Sequence, residues 1–255
     1  MSAAALALHQ FRYDQKVFWR NPASVFFTVL FPVIFMVIFN LIFGSDYIEE
    51  LGLYTSTYYV PAIITLAVVG ATTQSLAINL TQDRERGLLK RVRGTPLPTT
   101  AFVAGRVGNS LVISVLMLAL VAALGRVAYD VELPSTTIPG ILVTLAVGAS
   151  AFSCIGFALT TIIPSEDAAP AVTNATVLPL YFISGVFIPE SEIPEGVLHV
   201  ADLFPIRHFF EAFFTAWDPS TTGAGIEWGD LAVVAGWGLA ALAIAIWRFR
   251  WEPHR

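Results

Sequence analysis

The apolar residues of this chain gather into long runs with few interruptions, and the charged residues fall between them. The hydrocarbon core of a bilayer is about 30 Å thick, so a crossing helix needs roughly 20 mostly apolar residues. Six stretches reach or approach that length: 25–43, 58–80, 101–124, 138–163, 168–188 and 231–249. They predict an all-α polytopic membrane protein with six transmembrane helices, forming one transmembrane domain over residues 1–255. Pro32, Pro61, Pro170 and Pro179 lie inside these runs. Proline removes a backbone donor and crowds the preceding turn, so kinks are expected at all four. Ahead of the first run, residues 6–20 mix Leu8, Phe11, Val17 and Phe18 with Arg12, Asp14, Lys16 and Arg20. That pattern fits a helix lying along the membrane surface, with a plain basic flank as the simpler alternative. The first apolar run starts too late, behind charges, and is too long for a cleavable signal peptide.

Composition excludes most other classes. Hydrophobic residues make up 56% and charged residues 13%, whereas soluble domains carry about 25% charged residues. Mean hydropathy is +0.70. Disorder, collagen and coiled coil are excluded on the same grounds, and a net charge of −5 argues against nucleic-acid binding. The lone Cys154 rules out an intramolecular disulfide or a Cys-rich metal site. Lysine and arginine set orientation. Arg12, Lys16, Arg20, the five bases of the 81–100 loop, and Arg248, Arg250 and Arg255 fall on one side, against Arg126 and Arg207 on the other. Both termini are therefore expected in the cytoplasm of a multi-pass protein of the plasma (inner) membrane.

Two connecting segments stand out. The first, 82–93, is dense in both signs of charge and carries Leu88, Leu89 and Val92 at helical spacing, with Gly94 and Pro96 to stop it. A mixed-charge helix with an apolar edge suits docking to a protein better than to lipid. The second, 189–230, holds eight acids and one base. Within it, 205–217 carries Phe209, Phe210, Phe213 and Phe214 beside Arg207, His208 and Glu211. That segment is too short to span, so a re-entrant or interfacial helix started by Pro205 is expected, with an ordinary outer loop as the alternative.

Chemistry of its own is missing. There is no Gly-x-x-x-x-Gly-Lys-Ser/Thr loop for ATP, no His-Glu-x-x-His motif and no aspartate pair within spans. His9, His199, His208 and His254 lie outside the spans, so Gly108-Asn109-Ser110 has no partner for nucleophilic catalysis. The charge well inside a span is Arg106, placed where it could snorkel to the interface. Energy for uphill movement would have to arrive from a partner. Polar stripes are read at Thr65, Thr72, Ser75 and Asn79 of the second run and at Thr173, Thr176 and Ser184 of the fifth, with Asn174 and Tyr181 beside them. They face other helices or a cavity. Small residues at Ala104/Gly108, Ser150/Cys154/Ala158 and Ala232/Gly236/Ala240 are expected to mark tight helix packing.

The whole chain resembles the membrane subunit of type-2 ABC exporters, the permease family that includes drug-resistance and daunorubicin-type exporters. The resemblance is carried by Asp83-Arg84-Glu85-Arg86-Gly87-Leu88-Leu89-Lys90-Arg91 followed by Thr95-Pro96-Leu97-Pro98. It is carried also by Ser184-Gly185-Val186-Phe187-Ile188-Pro189 and Phe204-Pro205-Ile206-Arg207-His208. Arg91-Val92-Arg93-Gly94 is more basic than in many relatives. The resemblance implies that the chain is no enzyme and holds no cofactor. Two separate cytosolic ATP-binding subunits, with ATP and Mg, would drive export of a hydrophobic or amphipathic substrate by alternating access. It implies a second permease copy or paralogue, a coupling helix at 82–93 (Asp83 to Lys90) contacting the ATPase, and a further contact through Arg12 and Lys16. Thr72, Ser75, Asn79, Thr173, Thr176 and Tyr181 are the candidate pathway, and Phe209, Phe210 and Phe213 the candidate outer gate. An exporter of polysaccharide or glycolipid, and a non-transporting sensor or assembly protein, remain the alternatives.

Overall fold

The computed structural model describes residues 3–43, 46–49, 52–95, 97–249 and 252. Pro96, Arg250, His254 and Arg255 lie outside the described residues. The order is α1 (Ala3–Trp19), α2 (Pro22–Phe43), a hairpin of β1 (Tyr47–Ile48) and β2 (Leu53–Tyr54), α3 (Thr55–Glu85), α4 (Leu88–Arg93) and α5 (Thr99–Tyr129). There follow α6 (Ile138–Leu159), α7 (Ala168–Ile183), α8 (Glu195–Ala201), α9 (Pro205–Trp217) and α10 (Trp228–Arg248). The hairpin, in register Tyr47↔Tyr54, has no counterpart in the sequence reading.

Among the described residues, α2, α3, α5, α6 and α10 are long and apolar enough to cross a membrane. The expected fifth run is a shorter helix, α7, of 16 residues, or about 24 Å of helix. It ends at Ile183 because Ser184 and Gly185 turn the chain, the glycine at φ 80°. A Cβ on Gly185 would lie 2.7 Å from the Phe210 ring, which explains glycine here. The ends of α7 still meet opposite ends of the bundle. Glu166, just before it, pairs with Arg86 at 3.0 Å, and Gly185, just after it, accepts from the Tyr58 hydroxyl at the start of α3. One end of the bundle gathers α1, α4 and Glu252, which lies 4.0 Å from Lys90. It is called the basic end below.

Helix α3 is the axis of the molecule. Every residue from Thr55 to Val69 except Thr57 is buried, as befits a helix apolar all round. Helices α2, α5, α6 and α9 pack around it. Helices α6 and α10 pack along much of their length, and a Cβ on Gly238 would lie 2.7 Å from that of Ala151. The contact stripe on α10 is Leu231, Val234, Gly238, Ala241 and Ala245. The expected small-residue stripes are therefore corrected. Ala232, Gly236 and Ala240 are exposed, as are Ser150 and Ala104. Gly105, not Ala104/Gly108, lets α1 approach α5, meeting Gln10 at 2.7 Å from a built Cβ.

Proline does not govern the irregularities as expected. Among the described residues, two π-helical segments interrupt the α geometry, Phe26–Leu30 just before Pro32 and Gly70–Gln74, which holds no proline. Pro61 sits within continuous α-helix, and Pro170 occupies the first turn of α7, where its missing N–H has no partner to lose. The 70–74 segment is held from outside itself. Thr73 Oγ1 donates to the Phe152 carbonyl of α6 at 2.9 Å.

Candidate functional site

A cavity of about 410 Å³ opens between the start of α2, the basic-end half of α3 and α7. Its α3 wall is the ridge Leu66, Gly70, Gln74, Ile78 and Gln82, with Ser75 and Asn79 alongside. Asn174, Leu178 and Tyr181 supply the α7 wall, and Ser24, Phe27, Thr28 and Phe31 the α2 wall. Among the described residues, no charged side chain lines it. Gln74 Nε2 donates across it to Asn174 Oδ1 at 2.9 Å, and Asn79 Nδ2 donates to Ser75 Oγ at 3.2 Å. The Tyr181 hydroxyl donates to the Leu66 carbonyl at 3.2 Å, joining the two walls.

Three of the six expected pathway residues line this cavity: Ser75, Asn79 and Tyr181. The others do not. Thr72 and Thr173 are fully buried, and each donates to its own helix, Thr72 to Val68 O at 2.6 Å and Thr173 to Ala169 O at 2.8 Å. Thr176 is exposed away from the cavity and donates to Val172 O at 2.8 Å. The stripe from Thr65 to Asn79 presumed an uninterrupted helix. The π segment puts an extra residue into one turn, which rotates all that follows by about 100° against a regular helix. Thr65 and Thr72 consequently face the interior while Ser75 and Asn79 face the cavity. Gln74, Gln82 and Asn21 were missed; the signal available was carboxamides inside or beside an apolar run.

The segment expected as one coupling helix is broken in two. Arg86 ends α3, Gly87 takes the left-handed conformation at φ 71°, and α4 starts at Leu88. Asp83, Arg84 and Glu85 thus belong to the last turn of α3, and two of them are turned inward. Arg84, 2% exposed, donates to the carbonyls of Thr160 and Ile163, each at 2.7 Å, and pairs with Glu85 at 2.8 Å. It binds carbonyls at the C-cap of α6 and in the turn just after it, a favourable place for a cation. Asp83 pairs with Arg106, which also lies 3.5 Å from Asp14 of α1. Arg106 therefore does not snorkel alone; it joins α1, α3 and α5. Burial lifts the Asp14 carboxyl above its ordinary range, and Arg106 opposes that rise.

Leu89, part of the apolar edge expected to dock to a protein, is 1% exposed and packs on Leu76, Leu80, Phe102 and Phe157. Exposed instead are Leu88, Arg86, Lys90, Arg91 and Arg93. This face is basic with one apolar knob, not mixed in charge. Gly87 is half-buried at the break. On α1, Arg12 and Lys16 are exposed with Leu8, Tyr13, Val17 and Trp19, while Asp14 and Phe18 face the protein.

At the other end, α9 starts at Pro205 and keeps a helical pattern of burial. Phe209, Phe210 and Phe213 are each at most 1% exposed. Their apolar surroundings are protein, not lipid. Phe209 meets Phe152 with ring centroids 5.0 Å apart, and Phe210 meets Tyr58 at 5.5 Å. A Cβ on Gly148 would lie 1.9 Å from Phe209 Cε2, so glycine makes the seat for that ring. The polar face of α9 is tied down too. Arg207 reaches Glu190 at 3.0 Å and Asp202 at 2.8 Å, and His208 Nδ1 lies 2.7 Å from Asp230 Oδ1. Glu211 sits among these acids, and burial, then Glu190 beside it, pushes its carboxyl up to about 9.

Comparison with known proteins agrees with this architecture. The family model described as "ABC-2 type transporter" matches residues 9–216. The chain is also similar to the protein named "Putative transport permease YvfS" of Bacillus subtilis (strain 168), with 22% identity over 177 residues, 69% of this chain and 70% of that protein. A bundle of apolar helices with a cavity toward its basic end, matched by that model over most of its length, belongs to the ABC-2 type transporter family and is a multi-pass membrane protein.

Proposed function

We propose that the chain is the membrane subunit of an ATP-driven exporter, moving a hydrophobic or amphipathic substrate such as a drug or lipid across the plasma membrane. In this reading six helices cross the bilayer, α7 being the sixth, and the basic end faces the cytoplasm. Two separate ATP-binding subunits, carrying ATP and Mg, dock there, and a second permease copy or paralogue completes the path.

The observation that carries the proposal is the position of the cavity beside a segment built to pass on motion. Helix α4 presents Leu88 and three bases outward, while the residues just before it are fastened to other helices. Arg84 grips the end of α6, Arg86 grips Glu166 before α7, and Asp83 grips Arg106 on α5. A push on α4 would therefore move the end of α3 together with α7, and these are two walls of the cavity. The Arg84 hydrogen bonds are buried, whereas the Arg86–Glu166 pair is exposed and supplies direction more than strength. Thr73 and the π segment between cavity and core offer a place for α3 to change register.

The test is capture of ATP-binding subunits by the tagged full-length chain from membranes of its native host in mild detergent. An ABC-type ATPase should co-purify with wild type and be lost with Leu88→Asp, the variant still inserting and eluting as wild type. A chain that purifies alone, or a Leu88→Asp variant that keeps its ATPase, overturns the docking surface.

A further inference from the structure

Resting on the reading of this cavity as part of the transport path, we propose that it selects amphiphiles whose head group is uncharged and rich in hydroxyl or amide groups. Cations and anions carried on the same tail are turned away.

Two features of the lining carry this. The first is the kind of polar group. Asn21, Gln74, Asn79, Gln82 and Asn174 all reach the cavity, and each carboxamide offers both donors and an acceptor. Gln74 donates to Asn174, and neither residue makes another side-chain hydrogen bond among the described residues. Gln74 Oε1 stays free to accept and the Asn174 Nδ2 amide group free to donate. Such a mixed set matches hydroxyl or amide groups, which also donate and accept.

The second feature is the handling of charge. Asp83 and Arg84 directly follow the cavity residue Gln82 in sequence, yet both are held elsewhere, by Arg106 and by the end of α6. Among the described residues, no charged side chain of the lining remains to pair with an ion. An ion entering a site without a counter-charge loses hydration and gains no partner, which is costly at membrane depth. An uncharged head group exchanges water for the carboxamides with little loss. Phe27, Phe31 and Leu178 give the apolar wall a tail needs. The volume of about 410 Å³ falls within the roughly 300–1,000 Å³ of small-molecule sites.

The test uses the purified full-length chain in nanodiscs and three photoreactive amphiphiles with one diazirine-bearing tail: an alkyl glucoside, an alkyl trimethylammonium and an alkyl sulfate. Cross-linked peptides are mapped. The glucoside should label the start of α2, residues 66–82 of α3 and residues 170–181 of α7, about tenfold above either ion. Asn79→Asp should raise labelling by the ammonium probe and leave the sulfate excluded. Equal labelling of the cavity by all three probes, or more by an ion, overturns the selectivity and leaves the path itself standing. Labelling confined to outward faces such as that of α10, with the cavity untouched by every probe, overturns both.

Discussion

Arg84 shows how a charged residue in a basic loop can be a piece of the core. Its guanidinium completes hydrogen bonds that the end of α6 cannot make within its own helix. Leaving such acceptors buried and unpaired costs about 1–3 kcal/mol each. Arg84→Met should therefore lower the melting temperature of the purified chain clearly, while Arg86→Ala, whose side chain is exposed, should leave it nearly unchanged. Equal melting of the two variants would remove Arg84 from this role. Glu211 has a different signature. Its carboxyl is raised from an ordinary 4.5 to about 9, so the folded chain holds a proton that the unfolded chain releases. Stability contributed by that proton is full at low pH and falls as pH rises from about 4.5 to about 9. Glu211→Gln should flatten this fall in melting temperature across the window, and an unchanged slope would refute it.

At the scale of elements, the seat of α9 and the π turn of α3 each follow from a few side chains. Helix α9 docks by inserting Phe209 over Gly148 of α6. Gly148→Ala should cost about 1–3 kcal/mol through overpacking. Combined with Phe209→Ala it should cost less than the two single effects added, since both act on one contact. Strict additivity of melting shifts in that cycle would deny the contact. In α3 the extra residue of the Gly70–Gln74 turn aims Ser75 and Asn79 at the cavity. Deleting Thr72 would remove the extra residue and give a regular helix whose following residues keep the facing they have here. Cysteine at position 79, in a Cys154→Ala background, should react with a hydrophilic thiol reagent in the full-length chain and keep that reactivity in the deletion. Reactivity lost in the deletion would mean that the extra residue does not set the facing.

For the whole molecule, sidedness is the property that ties the pieces together. Asp14 of α1, Asp83 of α3, Arg106 of α5 and Glu166 before α7 all meet at one end, and Glu252 lies there as well. In sealed cells carrying the Cys154→Ala chain, cysteines at Lys16 and Glu252 should react with an impermeant thiol reagent after permeabilisation only. A cysteine at Glu195 should react without it. Reaction of all three from outside would refute the orientation proposed here.

The sequence by itself determined the solvent. Runs such as 101–124 and 138–163 are too long and too apolar to be anything but bundle helices in lipid, and segregation of lysine and arginine marked one end of that bundle. It also determined where α9 starts, because Pro205 suits a first helical turn and little else nearby does. What it did not determine is which way individual side chains face. Leu88 and Leu89 are alike in type and adjacent, and packing of the chain's own helices decides that Leu89 is inside. The stripe through Thr72 and Asn79 was drawn on a period of 3.6, and a single π turn, held by Thr73 on α6, breaks it. Small residues proved ambiguous for the same reason: Gly238 touches Ala151, whereas Gly236, two residues away, faces outward. Hydrophobicity is a sum along the chain and is legible there, whereas facing depends on the phase of each helix against its neighbours, and that phase exists in the tertiary structure alone.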